Sequence, residues 1–318
     1  MKLVTFMTVV LATVLLTGCG DDNGTSIPTM GNNPPVYLPD DFVPRPVFDF
    51  ADLPQAQRGA IYQERAGVTL DTSHIHDGYL MIQNQSTAPR IAVRIHRLGD
   101  DQTITHLLRA SDDFVTLTFT RGSGMYLVDV LEDAGDNMFA PLMSEELEVT
   151  LVNELWPFLM SNRYVTFHEQ ANAIQLAAQL AEGRRNELEV IEAIYNWIIT
   201  NIAYDHDFAE EVTSGMVNEY VPNIDVTLAS GMGICFDYAA LMAAMLRSQN
   251  IPTRLEIGFA GEVFHAWVSV YARDSGWLHA VAFNPGEWSL MDPTFTASDP
   301  GMQAFVGDGS NYHVLFTH

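Results

Sequence analysis

Apolar and polar positions alternate with the two-residue period of half-buried strands through much of residues 64–167. The clearest runs are Tyr79 to Ile82, Arg90 to His96, Phe114 to Phe119, Met125 to Val130 and Leu147 to Val152, separated by turn residues such as Gly99-Asp100-Asp101 and Gly122-Ser123-Gly124. Short strands at this spacing predict a β-sandwich-like domain. From residue 168 the period changes. Ala171 to Glu182 is rich in Ala, Leu and Gln and stops at Gly183. Asn186 with Glu189 forms a capping pair ahead of Leu188, Ile191, Ile194, Tyr195, Ile198 and Ile202, which recur at helical spacing. Cys235 opens another helix, which runs without a breaker to Leu246 before Asn250-Ile251-Pro252 ends it. Strand-like segments follow at 253–259, 263–271, 277–283 and 288–291, with a further edge strand expected at 312–316. Residues 168–318 are therefore predicted to form an α+β domain, a helix carrying Cys235 packed on an antiparallel sheet. The weakly periodic stretch from Asp205 to Ser230 is expected to be a loop that shapes a cleft.

The first 63 residues follow neither pattern. Lys2 precedes an apolar stretch from Leu3 to Leu16, and Leu16-Thr17-Gly18-Cys19 has the form of a lipobox. The segment resembles a bacterial lipoprotein signal and is short for a permanent span. Residues 1–18 are expected to be removed and Cys19 to carry lipid, anchoring the protein on the extracytoplasmic face of the cell membrane; an ordinary secretory signal with a chance cysteine is the alternative. Residues 19–63 hold Pro28, Pro34, Pro35, Pro39, Pro44, Pro46 and Pro54 and read as a disordered tether, with Val36-Tyr37-Leu38 and Phe48-Asp49-Phe50 as docking positions.

Charge narrows the partners. Forty acidic residues against 15 basic ones give a net charge of −25, which excludes nucleic acid as a natural partner and leaves lipid on Cys19 as the route to the membrane. The same acidity would draw cationic groups toward a cleft. Lys2 is the sole lysine, a fact that composition bias explains and that protection from self-crosslinking would also explain. The chain has two cysteines, so lipid on Cys19 leaves Cys235 as one free thiol, which in an exported protein calls for a chemical role. His74, His76, His96 and His106 lack a recognisable set of four ligands, and neither metal nor cofactor is implied.

Cys235, His265 and Asp292 sit in contexts that suit a nucleophile, its general base and the carboxylate that orients the base. The cysteine lies at a helix N-terminus, where unpaired N–H groups and the helix dipole favour thiolate; the histidine lies on a strand; the aspartate closes one before Pro293. Gly-x-Cys235-x-Asp237-Tyr238-Ala239, then His265-Ala266-Trp267-Val268, then Asp292-Pro293-Thr294-Phe295 resemble the transglutaminase-like superfamily, and the likeness extends upstream to about Glu187. The resemblance implies a papain-like core, a peptide or protein substrate attacked at an amide, and Cys235, His265 and Asp292 as the triad. Tyr204, Trp267 and Asp237 are candidates for oxyanion or cleft residues, each equally explained by packing or helix capping. Three functions stay open: a hydrolase or protease, which is preferred because water needs no second binding site; a protein-glutamine transamidase; and a non-catalytic binding lipoprotein that has kept the fold.

Overall fold

The computed structural model describes residues 4–5, 45 and 48–318, except 112, 137, 218, 275, 279–280, 299–305 and 307–308. The expected lipid attachment site at Cys19 and the docking position at 36–38 lie outside the described residues. The fold is α+β. Its strands and helices run β1 (Val4–Thr5), β2 (Tyr62–Arg65), β3 (Val68–Asp71), β4 (Tyr79–Asn84), β5 (Arg90–Arg97), β6 (Thr103–Arg109), β7 (Val115–Thr118), β8 (Gly124–Asp133) and β9 (Met138–Val149), then α1 (Asn172–Ala181) and α2 (Glu187–Asn201). After these come β10 (Ala203–Tyr204), α3 (His206–Thr213), α4 (Ile224–Ser230), β11 (Met232–Gly233), α5 (Cys235–Ser248), β12 (Thr253–Ala260), β13 (Val263–Tyr271), β14 (Gly276–Leu278), β15 (Val281–Phe283), β16 (Trp288–Met291), α6 (Pro293–Ser298) and β17 (Tyr312–Thr317).

The alternating segments form two antiparallel sheets, ordered β2-β3-β4-β7 and β1-β9-β8-β5-β6. Val68, Leu70, Leu80 and Ile82 of the first share one core with Ile91, Val93, Val128 and Val130 of the second, so each strand buries its alternate residues between the layers. β6 is an edge strand of the second sheet. The expected tether is partly docked. Phe48 and Phe50 pack against the second core and Leu53 is buried in it; Arg45 donates to the Gln249 carbonyl at 2.8 Å and lies 3.7 Å from Glu187. The apolar residues among the prolines supply what a solvated tether lacks. Leu159, Val165 and Phe167 likewise belong to the second core, although they precede the expected boundary at residue 168.

That second core surrounds α5. From Tyr238 to Leu246 every residue is buried, the mark of a helix covered on all sides. Ala239, Ala240, Ala243 and Ala244 let α1, α2, α4 and the sheet approach it closely. Its far end is held by buried Arg247, which donates to the carbonyls of Thr253, Met160 and His318 at 2.9, 3.0 and 2.8 Å. The sheet order is β16-β13-β12-β17, all antiparallel. Strand β17 takes the expected edge, while β14 and β15 form a separate hairpin rather than continuing this sheet. A Cβ on Gly258 would stand 2.0 Å from the His313 carbonyl oxygen, so the irregularity between Ile257 and Gly258 in the β12–β17 pairing depends on that glycine.

Candidate active site

Cys235 is the first residue of α5. Gly231, with φ +66°, ends α4 in the left-handed region, and β11 pairs in parallel with β10 to lead the chain into α5. Asp237 folds back so that its carboxylate accepts from the Ile234 N–H at 2.9 Å, and its Cβ leaves no room for one on Gly233, at 2.7 Å. Tyr220 donates to the other carboxylate oxygen. Asp237 is thus a buried helix cap whose pKa is raised by burial; it does not line the cleft as an oxyanion group would.

β13 brings His265 to the start of α5, where it lines one cleft with Cys235 and the cysteine sulfur is near enough to influence its imidazole. Imidazole Nε2 meets Asp292 Oδ2 at 2.8 Å, which leaves Nδ1 as the nitrogen that can serve the sulfur. Asp292 sits just past β16, held from three sides. Its Oδ1 accepts from the Thr294 and Phe295 N–H groups at 3.0 and 3.1 Å, capping α6, and Tyr312 donates to Oδ2 at 2.8 Å. The imidazole stacks on Phe295 with ring centroids 4.3 Å apart and planes 9° apart. Burial alone would push His265 down; the Asp292 charge and then the Cys235 sulfur outweigh it and raise the pKa to about 10. The structure thus favours a cationic imidazole between sulfur and carboxylate.

The other candidates separate. Tyr204, on β10, lines the cleft beside Cys235; burial, followed by the influence of Cys235, raises its pKa. Trp267 is fully buried and does not reach the cleft. It lies behind His265, donates to Glu256 at 2.9 Å, and meets Tyr312 edge to face. Its place on the same strand face as His265 is what made it a candidate, and the same alternation puts it one layer deeper. Residues 205–230 contain α3 and α4 rather than a simple loop, yet Ala209, Val212, Thr213 and Tyr220 from this stretch do line the cleft. Tyr312 and Phe295 were missed. The Asp292-Pro293-Thr294 cap signal could have pointed to α6 and so to Phe295, but nothing local marks Tyr312 as reaching Asp292 across the sheet.

A buried, stacked histidine thus lies between a helix-start cysteine and a capped aspartate. Residues 174–282 match the Transglutaminase-like superfamily, and the chain carries a domain of that superfamily; the match contains Cys235 and His265 and ends before Asp292. Among curated proteins the chain is similar to "Uncharacterized protein YebA" of Bacillus subtilis (strain 168), 25% identical over 70% of this chain. It is also similar to "UPF0252 protein MJ1282" of Methanocaldococcus jannaschii, 34% identical over 23% of this chain. It spans 31% and 21% of the lengths of these two relatives. Among solved structures it is similar to "a Putative Cysteine Protease from Cytophaga hutchinsonii", with 18% identity, TM-score 0.33, and coverage of 68% of this chain and 78% of that one.

Proposed function

We propose that the protein is a cysteine hydrolase acting on amide bonds of peptides or proteins, with Cys235 as nucleophile, His265 as general acid and base, and Asp292 as the group that orients His265. What supports this reading is the placement of His265, its Nε2 2.8 Å from the fixed Asp292 carboxylate and its ring in the same cleft lining as Cys235. The Cys235 thiolate attacks the carbonyl carbon, and the π electrons move to oxygen. The oxyanion lies by the N-terminus of α5, where the Cys235 N–H can donate to it, with the Tyr204 hydroxyl as the candidate second donor. The oxyanion collapses, the C–N bond breaks, and His265 passes its proton to the departing amine. Water then attacks the thioester while His265 takes one of its protons, releasing the acid and restoring the thiolate–imidazolium pair.

Transamidation is the second reading, favoured by one observation, the absence of lysine after Lys2. Overall acidity does not reach the cleft: its described lining residues include no Asp or Glu, which weakens the attraction of a cationic amine to the thioester. Lipid on Cys19 would place either activity at the outer face of a membrane. A peptide library is incubated with the full chain and a labelled primary amine. The proposal expects Cys235-dependent hydrolysis; stoichiometric amine incorporation that outcompetes water would establish transamidation instead.

A further inference from the structure

Beside Cys235 lies a cavity of about 400 Å³, within the size range of small-molecule ligand pockets and ample for a bulky side chain. Among the described residues that line it none is Asp, Glu, Lys or Arg, in a chain with 55 such residues, 40 acidic plus 15 basic. Tyr164, Phe236, Ile257, Phe264 and Phe316 line it together with Thr103, Ile104 and Thr105. The last three lie on β6, so an edge strand of the β sandwich closes a cleft whose reactive groups all belong to the α+β domain. Phe264, adjacent to His265 in sequence, is 40% exposed, although an aromatic side chain gains by covering such surface. His318, also in the lining, is held neutral, because burial lowers its pKa to about 3.

Resting on the acyl-transfer reading, we infer that this cavity is the specificity pocket for a bulky apolar side chain of the acyl donor, aromatic or long aliphatic, and that β6 is its outer wall. An ionised side chain entering it would lose water and find no opposite charge, apart from the thiolate and imidazolium that the reaction occupies. A glycine would leave it unfilled. Sandwich and α+β domain are then both needed for selection, which accounts for a β domain that carries no chemistry of its own.

The test uses dipeptidyl fluoromethyl ketones with Phe, Leu, Gln, Lys, Glu or Gly at either of the two residues, and measures second-order labelling of Cys235 in the full chain. Rates are normalised to that of iodoacetamide, which needs no pocket. Phe or Leu should exceed Gly, Lys and Glu by about 30- to 100-fold at one position, the range that pocket filling produces. Thr105→Glu should cut that preference at least tenfold and favour Lys; Phe264→Glu, at an exposed position, serves if the first variant does not fold. The same side chains, as unreactive dipeptide amides, are titrated onto Cys235→Ala by NMR. Equal normalised rates and equal binding across the series would overturn the pocket while leaving the acyl-transfer reading intact. Apolar preference in binding without labelling by any electrophile would uphold the pocket and sink the acyl-transfer reading.

Discussion

Replacing Asp292 with Asn removes a charge and keeps a shape. The amide carbonyl of the Asp292→Asn variant can still accept from the Thr294 and Phe295 N–H groups that now meet Oδ1 at 3.0 and 3.1 Å, so α6 keeps its cap. An amide NH2 would replace Oδ2 and face His265 Nε2, which must then accept, putting the ring proton on Nδ1 toward the sulfur. Without the carboxylate, burial opposes only the Cys235 sulfur, and the imidazole pKa should fall from about 10 toward its ordinary 6.5. A full return, from 10 to 6.5, would favour the neutral ring by ~5 kcal/mol at about 1.36 kcal/mol per pH unit, the upper limit of the effect. The linkage sign follows from a folded pKa above the unfolded one. In the wild type the His265 contribution to stability is fully present below pH ~6.5 and is lost as pH rises through about 10; in the variant this loss should shrink and move to lower pH. Iodoacetamide labelling of Cys235 followed from about pH 5 to 10, beside thermal unfolding over the same range, reads both effects. Turnover should fall by about 10⁴-fold, the scale set by a wrong tautomer in a serine-protease triad. Labelling at about pH 5 to 6 that matches the wild type would refute the reasoning.

Gly258→Ala should cost ~3 kcal/mol by forcing its Cβ onto the His313 carbonyl 2.0 Å away, and by displacing β17 it should lower turnover more than a core substitution of equal cost; denaturant unfolding and kinetics measured together decide this. Arg247→Met should destabilise by ~3 kcal/mol, because the Thr253 and Met160 carbonyls lose the guanidinium donor and the His318 oxygen keeps only the Leu255 N–H, and calorimetry should show it without a change in the pH profile of labelling. Cys19→Ala should block lipid attachment and release the protein from membranes, read by intact mass; unmodified Cys19 in the membrane fraction of the wild type would reject the anchor.

That Cys235, His265 and Asp292 come together was legible because each stands in a local context with its own physical signature. Cys235 begins an uninterrupted run of helix formers, His265 lies in a β-branched and aromatic strand, and Asp292 precedes a proline that ends the strand and starts α6. Periodicity also foretold the sandwich, whose strands bury alternate residues. What stayed hidden depends on tertiary distance. Tyr312 reaches Asp292 because the Gly258 irregularity sets the register of β17, and β6 meets the cleft because two domains pack together; neither leaves a local pattern. Asp237 and Trp267 show the opposite case. Their neighbours match a motif, but helix geometry makes one a cap, and strand alternation places the other behind the histidine. Phe48 and Phe50 stood out as docking positions among the prolines, and both pack against the core, two aromatics being enough to hold a segment there.

Capture of the acyl-enzyme tests the central claim most directly. Full-length protein is mixed with a Phe-containing peptide thioester or p-nitroanilide, quenched in acid within milliseconds to seconds, and analysed by intact mass and peptide mapping. The account predicts an acyl adduct on Cys235 that forms and decays with turnover, is absent in Cys235→Ala, and forms from the anilide at least about 10²-fold more slowly in His265→Ala, where the proton donor to the leaving amine is lost. Turnover that persists in Cys235→Ala, or an adduct whose formation is indifferent to His265, would contradict it.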